Sequence, residues 1–144
     1  MKKILLLNGP NLNRLGKREP SIYGHETLED VINSVETLLE GSGISLIAKQ
    51  SNHEGMLIDW IHEANDGYMG IIFNPGAYTH TSIAIRDAIS SIDVPVIEVH
   101  ISNVHAREPF RHHSMLAPVC KGQIVGLGIE GYILAATYLL NNRN

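Results

Sequence analysis

The feature that most restricts this chain is an alternation running from end to end: short apolar β-type runs, each followed by a longer stretch at helical spacing. Residues 3–8 form a continuous apolar run of the kind expected of a strand buried on both faces. Thr27 opens a helix as N-cap, with Asp30 three positions on, and Leu28, Val31, Val35, Leu38 and Leu39 recur at helical spacing until Gly41 or Gly43 ends the run. Residues 44–48 read as a second strand. Leu57, Trp60, Ile61 and Ala64 stripe a second helix that stops at Asp66 and Gly67. Residues 69–73 make a third strand, Ile85, Ala88, Ile89 and Ile92 a third helix, and residues 94–99 a fourth strand. Residues 124–127 are the fifth strand, and Ile129, Tyr132, Ile133, Ala136 and Leu140 close the chain as an amphipathic helix. Such a pattern predicts an α/β fold: a parallel sheet covered on both faces, doubly wound in the order 2-1-3-4-5.

No linker, repeat or low-complexity tract interrupts the pattern, and 144 residues suit one hydrophobic core, so a single domain over 1–144 is expected. The net charge of −4, with Lys and Arg scattered, resembles neither a nucleic-acid footprint nor a polybasic membrane patch. The apolar run near the start, residues 4–7, is too short for a signal-peptide core or a membrane span. With a lone cysteine, Cys120, no internal disulfide can form, and a reducing cytoplasm is the default compartment.

In a sheet of this type, ligands bind outside the carboxyl ends of the strands. Those ends are where this sequence turns polar. Strand one runs into Asn8 and Asn11, strand two into Gln50 and His53, strand three into Asn74, Tyr78 and His80, and strand four into Glu98, His100, Ser102 and Asn103. A segment carrying His105, Arg107, Arg111, His112 and His113 follows. Any one of these residues suits a turn or a cap; together on one rim they point to a functional site. The sixteen residues from 9 to 24 are long for a strand-to-helix connection, hold Arg14, Lys17, Arg18 and Tyr23, and read as a lid.

Several chemistries find little support. Gly126, Gly128 and Gly131 match a dinucleotide fingerprint literally, but thirteen residues remain after Gly131, too few for the second strand it requires. They read instead as close helix–strand packing. The histidines lack metal-ligand spacing, so no metal is expected. No nucleophile elbow is present, and of the lysines only Lys49 stands near a strand end, as a Schiff-base alternative. A flavin-binding module or a phospho-receiver is a further alternative. Yet Asn8 and Asn74 stand where a receiver wants acidic residues, and the loop after strand one lacks the hydroxyls of a flavin phosphate site. Acid–base chemistry remains. Glu98 and His100, two apart on a strand, share a face, and a carboxylate beside an imidazole favours a proton donor. The base is less obvious. Tyr23 as a base at pH 7 lies roughly 4 kcal/mol away, a gap only permanent positive charge could close, with Arg18, Arg107 and Arg111 as candidates.

Five strings extend this reading: Asn8-Gly-Pro-Asn-Leu-Asn13, Arg18-Glu-Pro-Ser-Ile-Tyr-Gly24, Phe73-Asn-Pro-Gly-Ala-Tyr-Thr-His-Thr-Ser82, Glu98-Val-His-Ile-Ser-Asn103 and Arg107-Glu-Pro-Phe-Arg111. In order and spacing they closely resemble the type II 3-dehydroquinate dehydratases. The resemblance implies a flavodoxin-like fold and a cofactor-free, metal-free dehydration of 3-dehydroquinate to 3-dehydroshikimate, in aromatic (chorismate) biosynthesis or quinate breakdown. By position, Tyr23 corresponds to the base and His100 to the acid. By the same resemblance, Arg18 corresponds to a lid residue beside the base, and Asn11 to one that holds a water stabilising an enolate. Asn74, His80, Asp87 and Arg111 correspond to contacts with substrate hydroxyls, and the backbone at Ile101 and Ser102 to the seat of the substrate carboxylate. Glu98 and Arg107 correspond to supports of His100 and Tyr23. The family resemblance also implies a homododecamer, a tetramer of trimers, in which the counterpart of Asp87 approaches a neighbouring site.

Overall fold

The computed structural model describes residues 2–143. In chain order the principal elements are β1 (Lys2–Asn8), α1 (Pro20–Tyr23), α2 (Leu28–Leu39), β2 (Ile44–Gln50), α3 (Glu54–Glu63), β3 (Tyr68–Asn74), α4 (Ile83–Ser90), β4 (Val96–His100), β5 (Gly122–Val125) and α5 (Glu130–Asn141). The five strands form one sheet in the order β2-β1-β3-β4-β5, parallel at every pairing. This is the doubly wound order expected from the alternation, and the flavodoxin-like fold that the resemblance implies. Among the described residues no helix is long and apolar enough to cross a membrane.

Strand parity divides the core. Ile4 and Leu6 of β1, with Ile72 of β3 and Ile97 and Val99 of β4, face Val31, Val35 and Leu39 of α2 and Tyr132, Ala135, Ala136 and Leu139 of α5. The intervening Leu5, Leu7, Ile71, Phe73 and Val96 face Leu57 and Ile61 of α3 and Ile85 and Ile89 of α4. Side chains alternate faces along a strand, so each buried strand must be apolar throughout, and burial of each Leu, Ile or Val contributes about 1.5–3 kcal/mol. Helix α2 begins at a reciprocal capping box: Asp30 N–H donates to Thr27 Oγ1 at 3.2 Å, and Thr27 N–H donates to Asp30 Oδ2 at 2.9 Å.

Every strand differs from the sequence expectation by one or two residues at one end or both, and at β4 and β5 a shift of two has a physical cause. β4 starts at Val96 rather than residue 94, because Pro95 has no N–H for the ladder. β5 covers Gly122–Val125 rather than 124–127; at Gly126, with φ of 86°, the chain turns out of the sheet. The glycine-rich stretch there does serve close packing, since a Cβ on Gly131 would sit 3.2 Å from Val99 Cγ1 and 3.3 Å from Ile124 Cγ2. The long connection after β1 is more structured than a bare lid. It contains a 3-10 turn, Leu12–Arg14, and Leu12 and Leu15 are buried in the core. In its second half Tyr23, partly buried, packs against the same cluster.

Candidate active site

The carboxyl ends of β1, β3 and β4 meet at the point where the strand order reverses, and a cleft of about 240 Å³ opens there. Its walls are brought together by two interlocked loops. A Cβ on Gly9 would lie 2.6 Å from the Pro75 carbonyl oxygen, so only glycine lets the turn after β1 lie against the turn after β3. The first loop contributes Asn11, and the segment beyond it Arg18 and Tyr23. From β3 and its turn come Asn74 and His80. His100, Ile101 and Ser102 come from the end of β4, and Arg107 and Arg111 from the connection to β5.

Glu98 does not line the cleft; it is fully buried beneath it. Its Oε2 accepts hydrogen bonds from His100 Nε2 at 2.6 Å and Thr79 Oγ1 at 2.7 Å, and Ser114 Oγ lies 3.0 Å from both carboxylate oxygens. Burial alone would raise the Glu98 pKa, but the hydrogen bond and charge of His100, with the two hydroxyls, outweigh it and hold the carboxyl below its ordinary value. Glu98 is therefore a carboxylate held by three donors. His100, committed to Glu98 through Nε2, has Nδ1 left for the cleft.

Tyr23 stands among guanidinium groups. Arg107 Nη1 donates to the phenol oxygen at 2.8 Å and to Ser102 Oγ at 3.0 Å. The Arg18 and Arg107 guanidinium carbons lie 4.8 and 5.2 Å from the centre of the tyrosine ring. Of the three arginines considered from sequence, Arg107 is the one bonded to the hydroxyl; Arg18 sits over the ring. Arg111 is turned to Glu108, with Nε donating to Oε1 at 2.9 Å.

His80 Nδ1 donates to the His113 carbonyl at 2.8 Å, and its ring stacks on that of His100 with centroids 6.5 Å apart. Burial, helped by the positive charges of His100 and Arg111, lowers the His80 pKa, so the neutral ring presents Nε2 as an acceptor. Asn11 sits at φ 71°, its N–H donating to Asn52 Oδ1 at 3.0 Å. Asp87 is exposed on α4 and does not line this cleft. Lys49 also lies outside it, 3.8 Å from Glu63 and against the Trp60 ring, which leaves a Schiff-base role without geometric support. The Cys120 thiol is pushed up to about 12 by burial, helped by the charge of Glu98.

Three hydroxyls that sequence reasoning did not single out complete the arrangement. Thr79 and Ser114 hold Glu98, and Tyr132 lies under Asn74. Tyr132 reads in sequence as one more member of the apolar stripe of α5. The available signal was parity: Asn8 and Asn74 occupy paired positions at the ends of β1 and β3, on the face α5 covers.

Comparison with known proteins places this geometry in context. The family model "Dehydroquinase class II" matches residues 2–140. A 3-dehydroquinate dehydratase of Bacillus pumilus is 62% identical over 141 residues, spanning 98% of this chain and 96% of that protein. Another, of Halalkalibacterium halodurans, is 64% identical over 140 residues, covering 97% of each. The crystal structure of the type II dehydroquinase of Butyrivibrio crossotus superposes with a TM-score of 0.93 at 54% identity, covering 96% of this chain and 97% of that one.

Proposed function

Because the chain belongs to the class II dehydroquinases, a family of hydro-lyases, we propose that it dehydrates 3-dehydroquinate to 3-dehydroshikimate in the shikimate pathway. In this reading Tyr23, as its phenolate, removes a proton α to the ketone. The C–H electron pair passes into the carbonyl, and the resulting enolate is stabilised by a water held at Asn11. The enolate then collapses as the C–O bond of the departing hydroxyl breaks. His100, carrying a proton on Nδ1, delivers it to that oxygen, and water leaves. Arg107, donating to the phenol oxygen at 2.8 Å, stabilises the negative charge that Tyr23 must carry, and Arg18 adds positive potential over the ring. Glu98 orients His100 and balances its charge. Asn74, His80 and Arg111 contact substrate hydroxyls, with Asp87 contributing from a neighbouring subunit, and the backbone at Ile101 and Ser102 seats the carboxylate.

The observation that carries this reading is the opening of two supported groups onto one cleft: a phenol bonded to a guanidinium and an imidazole bonded to a buried carboxylate. No metal or organic cofactor enters the scheme. The same reading makes residues 1–144 one catalytic domain of a cytoplasmic enzyme, assembled as a homododecamer from trimers, with a small molecule rather than nucleic acid or membrane as its partner. The test is direct. Purified protein mixed with 3-dehydroquinate should generate the ultraviolet absorbance of a conjugated enone without added metal. Absence of that signal from folded protein overturns the assignment, and inactivation by borohydride in the presence of substrate would replace Tyr23 chemistry with a lysine Schiff base.

A further inference from the structure

The geometry points to Tyr132 and Asn8 as positioning residues that set the hydrogen-bonding polarity of Asn74 in the cleft. The inference rests on the reading above, in which Asn74 contacts substrate. Three side chains form a buried row: Asn74 Nδ2 donates to the Tyr132 hydroxyl at 2.8 Å, and that hydroxyl donates to Asn8 Oδ1 at 2.6 Å. Tyr132 is fully buried, and Asn8 and Asn74 are 1% and 4% exposed. Burial also pushes the Tyr132 pKa well above its ordinary value, so the hydroxyl keeps its proton for the row.

The direction of the row follows from one donor whose identity is fixed. The Gly76 backbone N–H donates to the Asn74 side chain at 3.1 Å, so the atom facing it is the amide oxygen. The other end of the amide is then the NH₂ group, and it meets the Tyr132 oxygen as a donor. Tyr132 has a single proton, which must go to Asn8, and the atom it finds there must be an oxygen. Reversing any member would put two donors face to face among side chains no more than 4% exposed. Asn74 is therefore held in one of its two amide orientations. With one Nδ2 hydrogen taken by Tyr132, the other is the donor it can offer a substrate oxygen. Neither Tyr132 nor Asn8 lines the cleft. Their influence on the reaction passes through Asn74.

A double-mutant cycle on the full-length protein tests this. Tyr132→Phe should lower kcat/KM by about tenfold to a hundredfold, in the range typical of a misplaced contact group. In an Asn74→Ala background the same change should cost less than about twofold, because the group it acts through is gone. Equal losses in the two backgrounds would overturn the inference and leave Tyr132 with a packing role. Should Tyr132→Phe fold poorly, the Asn8 pair decides. Asn8→Asp keeps an acceptor for the Tyr132 proton and should stay within about threefold of the parent kcat/KM, whereas Asn8→Ala should fall by about tenfold or more. Equal activity of the two Asn8 variants would contradict the inference. Turnover by the unmodified protein is measured first, so failure of the dehydratase reading is distinguished from failure of this one.

Discussion

Removing one oxygen from Tyr23 isolates the chemistry proposed for it. Tyr23→Phe keeps the ring that packs against the core and its stacking under Arg18, but abolishes the atom bonded to Arg107. Turnover should fall by about a hundredfold to ten-thousandfold, as for loss of a general base, with the circular dichroism spectrum and thermal midpoint nearly unchanged. Near-normal turnover would reassign the base. Glu98 carries a second prediction, about pH. Its folded pKa lies below the ordinary 4.5, so the unfolded chain binds the proton more readily in the window between the two values. The stability this contributes is fully present above 4.5 and is lost as pH falls through the folded value. In thermal melts, Glu98→Gln should therefore lose less stability than the parent between pH 4.5 and the acid limit. Parallel pH profiles of the two proteins would contradict this assignment of charge.

At the scale of elements, the capping box of α2 and the contact between the β1 and β3 turns separate stability from site geometry. Thr27→Ala removes the side-chain acceptor for Asp30 N–H and should cost about 1 kcal/mol, which in a domain of this size lowers the thermal midpoint by about 2–4 °C. Gly9→Ala places a methyl group 2.6 Å from the Pro75 carbonyl oxygen, so one of the two turns must shift. That overpacking should cost about 1–3 kcal/mol and, because both turns line the cleft, should lower kcat/KM as well. Unaltered turnover in a destabilised Gly9→Ala protein would show that the cleft tolerates movement of its floor. The alternation of elements and their order in the sheet were legible in the sequence, because buried parallel strands must be apolar on both faces and helices on one. Boundaries at Pro95 and Gly126 were less so, since pattern shows where apolar residues lie and not which amide completes a ladder.

For the molecule as a whole, the proposed assembly bears on the site, because Asp87 is exposed on α4 and does not line the cleft described above. Sedimentation should yield a particle of twelve times the 15.9 kDa chain mass. A stable single-chain species with full turnover would remove the assembly from the proposal and leave the chemistry standing.

What the sequence by itself determined was the rim and most of the polar side chains it gathers, since strand ends in a doubly wound sheet deliver their side chains to one side. It also paired Glu98 with His100, because two residues apart on a strand is a local relation. Only the tertiary structure decided the partners across elements: Arg107 rather than Arg18 on the Tyr23 hydroxyl, Ser114 and Thr79 on Glu98, and Tyr132 beneath Asn74. Each joins residues far apart in the chain. A hydrogen bond needs its two atoms placed within a few tenths of an ångström, and periodicity resolves a face, not an atom.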